Sequence, residues 1–152
     1  MKIFEQKAQI AGLAWGVHEP FRDYINRMSD GHMYALEGAE LLETEETFFP
    51  LDTQRTSADA LRFIGSLQFT GHHGMLAVRI QQPWLQQVDD MTALTITDPF
   101  EENARMPMVH VELGNDSAGS TQLMEEGADV FMGNYRTNTA FDPVRIVWIG
   151  KD

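Results

Sequence analysis

The feature that most constrains the fold is an alternation of apolar and polar side chains through residues 61–80, broken once near its middle. Before the break, every second residue from 61 to 69 is apolar or glycine, and after it residues 76, 78 and 80 are apolar again. A period of two is typical of a β-strand with one buried face. The segment therefore predicts one strand over residues 61–70 and a second that begins near residue 76, joined as a β-hairpin or corner.

The break consists of two histidines between two glycines, Gly71-His72-His73-Gly74. Glycine lets the backbone turn tightly, or lets a flat ligand approach closely. Histidine offers a hydrogen-bond donor, an acceptor or a metal ligand near neutral pH. Adjacent residues on an extended strand face opposite ways, so the pair by itself is a weak signal for a metal ion. The corner is therefore a candidate site whose chemistry these residues leave open.

A short amphipathic helix is predicted over residues 19–28, with Pro20 in its first turn, where a missing N–H is tolerated. Its apolar face carries, at the spacing of one helical stripe, Phe21, Tyr24, Ile25 and Met28. Its solvent face is expected to carry Arg22, Asp23, Asn26 and Arg27. Tyr24 should then point inward, where its hydroxyl needs a hydrogen-bond partner. A core tyrosine with a satisfied hydroxyl is the plainest interpretation of these residues alone.

The remaining segments predict a mainly β chain. Strands are expected over residues 8–15, 33–36, 47–51, 93–97, 108–113 and 144–149. One helical turn is expected over residues 128–132, and a loop over residues 114–119. Many short strands without the crossover helices of a parallel sheet indicate an antiparallel fold, either a β-sandwich or a flattened barrel. No linker divides the chain, so residues 1–152 are expected to form a single domain with one or two short helices.

The net charge and the residue composition limit the kinds of partner and site that the chain can have. The formal net charge of −12 disfavours binding to nucleic acid or to an anionic membrane. Cysteine is absent, which excludes disulfides, thiolate metal sites and cysteine nucleophiles. No apolar run approaches the roughly 18 residues of a membrane helix, and the first residues lack the apolar core of a secretory signal. The chain as written therefore predicts a cytoplasmic domain, or a secreted or cell-surface domain cut from a longer precursor.

Short catalytic motifs add little to this description. The chain contains no Gly-x-Ser-x-Gly sequence, no P-loop and no Gly-x-Gly-x-x-Gly sequence. A serine triad would need a serine placed beside one of the two histidines, and nothing in the sequence selects one. From the residues alone, three functions stay open: ligand binding, hydrolysis and protein interaction.

Three segments, in the same order and covering nearly the whole chain, resemble the motifs of the HtaA-type haem-binding domain. The segments are Trp15 to Ile25, Phe63 to Leu76, and a closing motif made of Phe131 to Tyr135 with Phe141 to Val144. That family is known in actinobacterial haem uptake, as secreted or surface-anchored modules that bind ferric haem and pass it on. The resemblance implies a mainly β fold with short helices and a binding domain rather than an enzyme.

The resemblance also implies the ligand and its site. The expected ligand is haem b in the ferric state, with its iron held by Tyr24 and the tyrosine oxygen hydrogen-bonded by a histidine. His72 matches that histidine, and His73 occupies the neighbouring place in the motif. Apolar contacts to the porphyrin are expected from Phe21, Ile25 and Met28. Arg22 is a candidate for a haem propionate. The expected partners are haem and the proteins that donate or accept it; the oligomeric state stays open, with a homodimer among the expectations.

One departure from the family pattern keeps other functions open. The family usually has a serine before the helix phenylalanine, where it helps to hold a propionate, and this chain has Pro20 there. A domain that has lost haem binding and serves as a protein-interaction module is therefore one alternative. A haem-dependent, peroxidase-like enzyme is another, because tyrosine also ligates haem in catalases.

Overall fold

The chain folds into two antiparallel sheets and a few short helices, as described by a computed structural model that covers residues 3–55, 57–114 and 117–150. The strands in chain order are β1 Ile10–Trp15, β2 His32–Leu36, β3 Glu40–Leu41, β4 Thr47–Pro50, β5 Ala60–Arg62, β6 Ser66–Gly71, β7 Leu76–Gln81, β8 Trp84–Val88, β9 Met91–Thr97, β10 Arg105–Leu113, β11 Ala118–Leu123 and β12 Ala140–Trp148. The helices are α1 Glu19–Arg27 and α2 Glu125–Val130, with 3₁₀ turns at Ile3–Gln9 and His72–Gly74.

The larger sheet has nine strands in the order β3-β4-β1-β12-β11-β10-β9-β8-β5, and it curls into a half-barrel. The smaller sheet has three strands in the order β2-β6-β7. Neighbouring strands pair antiparallel throughout both sheets. The predicted mainly β, antiparallel fold class is therefore confirmed. No helix in the described part of the chain is long and apolar enough to cross a membrane.

The core is built around aromatic side chains that several elements bury together. Phe21 of α1 meets Phe69 of β6 edge to face at 4.9 Å and Phe131, just after α2, at 5.1 Å. Ile25, one turn further along α1, is 1% exposed. Burying a Phe or Ile side chain stabilises a fold by about 1.5–3 kcal/mol, so these two residues fix α1 against the smaller sheet. The amphipathic helix predicted over residues 19–28 is confirmed.

The strand predicted over residues 61–70 is wrong, because the structure divides it between the two sheets. β5 ends at Arg62 and belongs to the larger sheet, whereas β6 begins at Ser66 and belongs to the smaller one. The chain changes direction at Gly65, whose φ of +111° is a conformation that other residues rarely adopt. The alternation survives because both halves turn the same face to the core: Leu61, Phe63, Leu67 and Phe69 are all buried.

Three strands, β3, β8 and β11, were not predicted, because their sequences are very short or carry little apolar alternation. β8 follows directly after Pro83 and pairs with both β5 and β9. β11 begins inside the loop predicted over residues 114–119, of which residues 115 and 116 lie outside the described residues. β11 is small and polar, and its buried Thr121 donates a hydrogen bond from Oγ1 to the Asp142 carbonyl at 2.9 Å. Tertiary pairing, rather than local hydrophobicity, makes this segment a strand.

Candidate functional site

Tyr24 and His72 meet where α1 faces the corner between β6 and β7. The Tyr24 hydroxyl and His72 Nε2 form a hydrogen bond across a sequence separation of 48 residues. Tyr24 is 40% exposed, so the prediction that it points into the core is wrong. A helix turns about 100° per residue, and Phe21 and Ile25 lie at the centre of the buried stripe, which leaves Tyr24 at its margin. Its hydroxyl is therefore accessible from solvent.

The histidine corner has an unusual backbone. His72 and His73 have φ values of +49° and +56°, and Gly74 follows at +89°. The left-handed region costs about 1–2 kcal/mol for each residue that carries a Cβ, so something must hold the two histidines there. The Asp30 carboxylate does so, accepting the His72 N–H at 3.3 Å and the His73 N–H at 2.7 Å. The bond from the His73 N–H, followed by the bond from the His72 N–H, holds the pKa of Asp30 below its usual value.

The two histidines differ in what their side chains contact. The His72 ring faces Tyr24, with ring centroids 5.8 Å apart. The His73 side chain is 97% exposed, and its Nδ1 lies 3.9 Å from the Asp30 carboxylate. The structure therefore brings His72 to the tyrosine and leaves His73 in solvent.

A cleft of about 670 Å³ opens beside the Tyr24–His72 pair. It is lined by Phe21, Tyr24, His72, Met75, Leu76, Met132, Asn134 and Tyr135. Met75 and Met132 are 83% and 52% exposed at its rim, so a considerable apolar surface faces solvent here. A concave, largely apolar site with a few convergent polar groups is typical of small-molecule binding.

Of the apolar helix residues predicted to contact a ligand, Phe21 lines the cleft and the other two lie behind it. Ile25 is in the core. Met28 is half-buried, with its sulfur 3.3 Å from the His72 N–H. Sequence reasoning missed Met75, Leu76, Met132, Asn134 and Tyr135. Their positions next to the motifs could have identified them from the sequence: two of them follow Gly74 directly, and three fall within residues 131–135.

Tyr135 connects the cleft to an aromatic cluster behind it. Its ring makes edge contacts with Phe21 at 6.3 Å, Phe131 at 5.6 Å and Phe141 at 5.8 Å. Burial, together with the neighbouring Tyr24, raises the pKa of the Tyr135 phenol. Tyr135 is therefore a neutral hydroxyl at the inner wall of the cleft near pH 7.

His18 lies deeper in the same aromatic cluster, immediately before α1. Its ring stacks on Phe141 at 4.1 Å and meets Tyr135 edge-on at 4.8 Å. It is 7% exposed, and its Nδ1 has no hydrogen-bond partner within the described residues. Burial lowers the pKa of the His18 imidazole, an effect that the nearby Asp142 opposes and Arg22 reinforces. Burial therefore favours the uncharged form of the ring.

Arg22 lies on the opposite flank of α1 from Tyr24, and the prediction that it faces solvent is wrong. It is 9% exposed. Its Nε donates to the Gly16 carbonyl at 2.8 Å, and its Nη2 donates to the Asp142 carboxylate at 3.0 Å. Its Nη1 pairs with Glu45 at 3.2 Å. The guanidinium therefore ties α1 to β12 and does not line the cleft.

Comparison with known proteins places this chain in a family. A family model described as Htaa matches residues 11–147. The N-terminal domain of HtaA from Corynebacterium glutamicum is similar in structure with a TM-score of 0.76 and 21% identity, over 91% of this chain and 96% of that chain. A comparison with curated proteins finds no significant match.

Two further solved structures share the fold. The C-terminal domain of HtaA from Corynebacterium glutamicum has a TM-score of 0.66 and 22% identity, over 91% of this chain and 94% of that chain. The heme binding protein HtaB from the same organism has a TM-score of 0.69 and 16% identity, over 91% of each chain. At these identities the structural likeness establishes a shared fold, and the family model establishes the relationship.

Proposed function

The chain belongs to the HtaA family, and we propose that it binds ferric haem b as a non-catalytic domain for haem uptake, transfer or storage. The observation that carries the proposal is the Tyr24–His72 pair at the edge of an apolar cleft. The heme binding protein HtaB shares the fold, which supports haem as the ligand. In this proposal Tyr24 would hold the iron through its oxygen, and His72 would hydrogen-bond that oxygen.

The chemistry of the pair suits an oxidised iron. A free phenol loses its proton near pH 10, and a bound ferric ion lowers that value by direct charge. The phenolate is a hard anionic ligand, and tyrosine is an established haem ligand. His72 then acts as donor, so the proposal requires its proton on Nε2. A hydrogen bond to the phenolate orients it and reduces its donation to the iron, which favours holding and releasing ferric haem over electron transfer.

The cleft fits a flat apolar ligand that keeps one edge in water. Phe21, Leu76 and the ring of Tyr135 form apolar walls, and the two rim methionines provide adaptable contacts. Its volume of about 670 Å³ lies within the range of small-molecule sites. Pro20 cannot supply the hydroxyl that the family pattern has before the helix phenylalanine. Tyr135, with a neutral hydroxyl at the inner wall, is a donor available to a propionate instead.

A hemin titration of the purified protein, followed by visible absorption, tests the proposal. Wild type should bind one equivalent and show the charge-transfer absorption of ferric haem bound to tyrosinate. Tyr24→Phe should lose that absorption, because phenylalanine has no oxygen ligand. His73→Ala is the matched control for His72→Ala, and it should leave the spectrum unchanged because the His73 side chain is 97% exposed. Binding by wild type no tighter than by an unrelated acidic protein would refute the proposal.

A further inference from the structure

Asp30 lies opposite the histidine corner because of the register of the smaller sheet. β2 pairs with β6 so that His32 faces Thr70. Continued beyond the end of β2, this antiparallel register places Gly31 beside Gly71 and Asp30 beside His72. Hence the residues that connect α1 to β2 come against the corner that carries His72.

Beyond the end of β2, side chains take the place of a paired strand as hydrogen-bond acceptors for the histidine corner. The His72 and His73 N–H groups both point to the Asp30 carboxylate, one to each oxygen, at 3.3 and 2.7 Å. The His72 N–H also lies 3.3 Å from the Met28 sulfur. Backbone N–H groups in a left-handed turn need acceptors to stay in place, and a carboxylate is a strong one. Asp30 therefore satisfies two donors whose positions determine where the His72 ring lies.

The segment that connects α1 to β2 is closely packed against the histidine corner. A Cβ at Gly71 would overlap the Met28 sulfur, and a Cβ at Gly31 would overlap the Ile25 carbonyl oxygen. Tyr24 and Asp30 are six residues apart on one short segment, and this segment packs directly on the corner. The separation between Tyr24 and His72 is therefore set by local contacts at Met28 and Asp30.

We infer that Asp30 is the positioning residue of the site: its carboxylate holds the His72–His73 corner so that the His72 ring hydrogen-bonds Tyr24, and it thereby controls how long a ligand stays on Tyr24. The inference rests on the proposed function for its effect on haem release. Its effect on the Tyr24–His72 pair is independent of haem. Asp30 is not among the residues that line the cleft, and it acts through His72.

A double-mutant cycle on the full chain tests this inference. The variants are Asp30→Ala, His72→Ala and the double variant, with Asp30→Asn as the conservative change. Asp23→Asn is the matched control, because it removes one exposed carboxylate from α1 without touching the corner. Hemin dissociation is followed by transfer to an excess of a haem-scavenging protein. The ¹⁵N shift of His72 Nε2 is followed in the protein without hemin.

Asp30→Ala should release hemin roughly tenfold to a hundredfold faster, the usual range for a residue that orients a metal ligand. We expect this direction because the loss of orientation outweighs the stronger donation of a phenolate that has lost its hydrogen bond. It should add nothing in the His72→Ala background, because both changes remove the same hydrogen bond. Asp30→Asn should fall between Asp30→Ala and wild type, and Asp23→Asn should match wild type. In the protein without hemin, Asp30→Ala should move the His72 Nε2 shift toward that of a free histidine.

Additive effects of Asp30→Ala and His72→Ala would overturn the inference, as would an unchanged Nε2 shift in Asp30→Ala. If wild type binds no hemin, the proposed function fails, and the Nε2 shift alone decides the role of Asp30. If wild type binds hemin and the Nε2 shift is unchanged by Asp30→Ala, the proposed function stands and the positioning role fails.

Discussion

The two flanks of α1 differ in burial, although the residues that define them are only two positions apart. Arg22 and Tyr24 both lie beside the buried stripe formed by Phe21 and Ile25. The Arg22 flank is closed: Arg22 is 9% exposed, and its guanidinium contacts oxygen acceptors on Gly16, Glu45 and Asp142. The Tyr24 flank is open: Tyr24 is 40% exposed, and within the described part of the chain its hydroxyl makes one hydrogen bond, to His72.

Because of this difference, one flank of α1 contributes to the stability of the fold and the other exposes a group that can bind a ligand. A buried charge is tolerated only when it is paired, so the Arg22 flank must be fully bonded and contributes to stability only as a complete set. An exposed phenol contributes little to folding, which leaves its oxygen available for a ligand. We therefore expect changes on the closed flank to affect unfolding, and changes on the open flank to affect binding.

The largest effect should come from breaking the closed flank. Arg22→Ala removes the guanidinium from Asp142 Oδ2 and from the Gly16 carbonyl, while Asp142 Oδ1 keeps its hydrogen bond from the Glu19 N–H. The change should lower the free energy of unfolding by about 3 kcal/mol. Urea unfolding followed by circular dichroism measures the change. The control is Arg27→Ala, an exposed arginine on the same helix, which should stay within about 0.5 kcal/mol of wild type. Equal effects of the two variants would show that the closed flank is not a stabilising set.

A change on the open flank should affect ligand binding more than stability. Tyr24→Phe removes one exposed hydrogen bond and should lower the free energy of unfolding by no more than about 1 kcal/mol. The same variant should lose the tyrosinate absorption with hemin. Urea unfolding and the hemin titration on one preparation measure both properties. A loss of stability comparable to that of Arg22→Ala would remove the distinction between the two flanks.

His18, whose pKa Asp142 and Arg22 also affect, should make stability depend on pH. Burial lowers the pKa of His18 in the folded state, so below about pH 6.5 the unfolded chain takes up a proton that the folded chain resists. Stability from this group is therefore present above about pH 6.5 and lost as the pH falls, by at most about 1.4 kcal/mol per pH unit. Unfolding at pH 7.5 and 5.5 should show a smaller loss in His18→Gln than in wild type. Equal losses in the two proteins would contradict this.

The smallest effect should come from Glu45, the exposed partner of Arg22. The Glu45 side chain is 64% exposed, and solvent screens an ion pair of this kind. Glu45→Gln should lower the free energy of unfolding by less than about 1 kcal/mol, and the difference should shrink further in high salt. Asp142→Asn, which changes the less exposed partner, should cost more. A larger effect of Glu45→Gln than of Asp142→Asn would reverse the ranking of Arg22's partners.

Much of the fold was predictable because its signals are local. Apolar alternation identified the β6–β7 hairpin and most other strands, and helical spacing identified α1. The errors have one physical origin, because alternation reports which side chains are buried and not which sheet buries them. The bend at Gly65 keeps the pattern while moving the chain from one sheet to the other, and β11 is a strand through pairing with its neighbours.

The sequence by itself determined the residue types of the candidate site and their motifs: a tyrosine on a short helix and two histidines at a glycine corner. It could not determine which flank of α1 is closed, because Arg22 and Tyr24 lie at similar angles from the buried stripe. Only the tertiary structure decided this, by placing Asp142 against one flank and His72 against the other. The reason is physical: an amphipathic pattern defines the centre of a buried face, whereas the burial of its margins depends on partners distant in sequence.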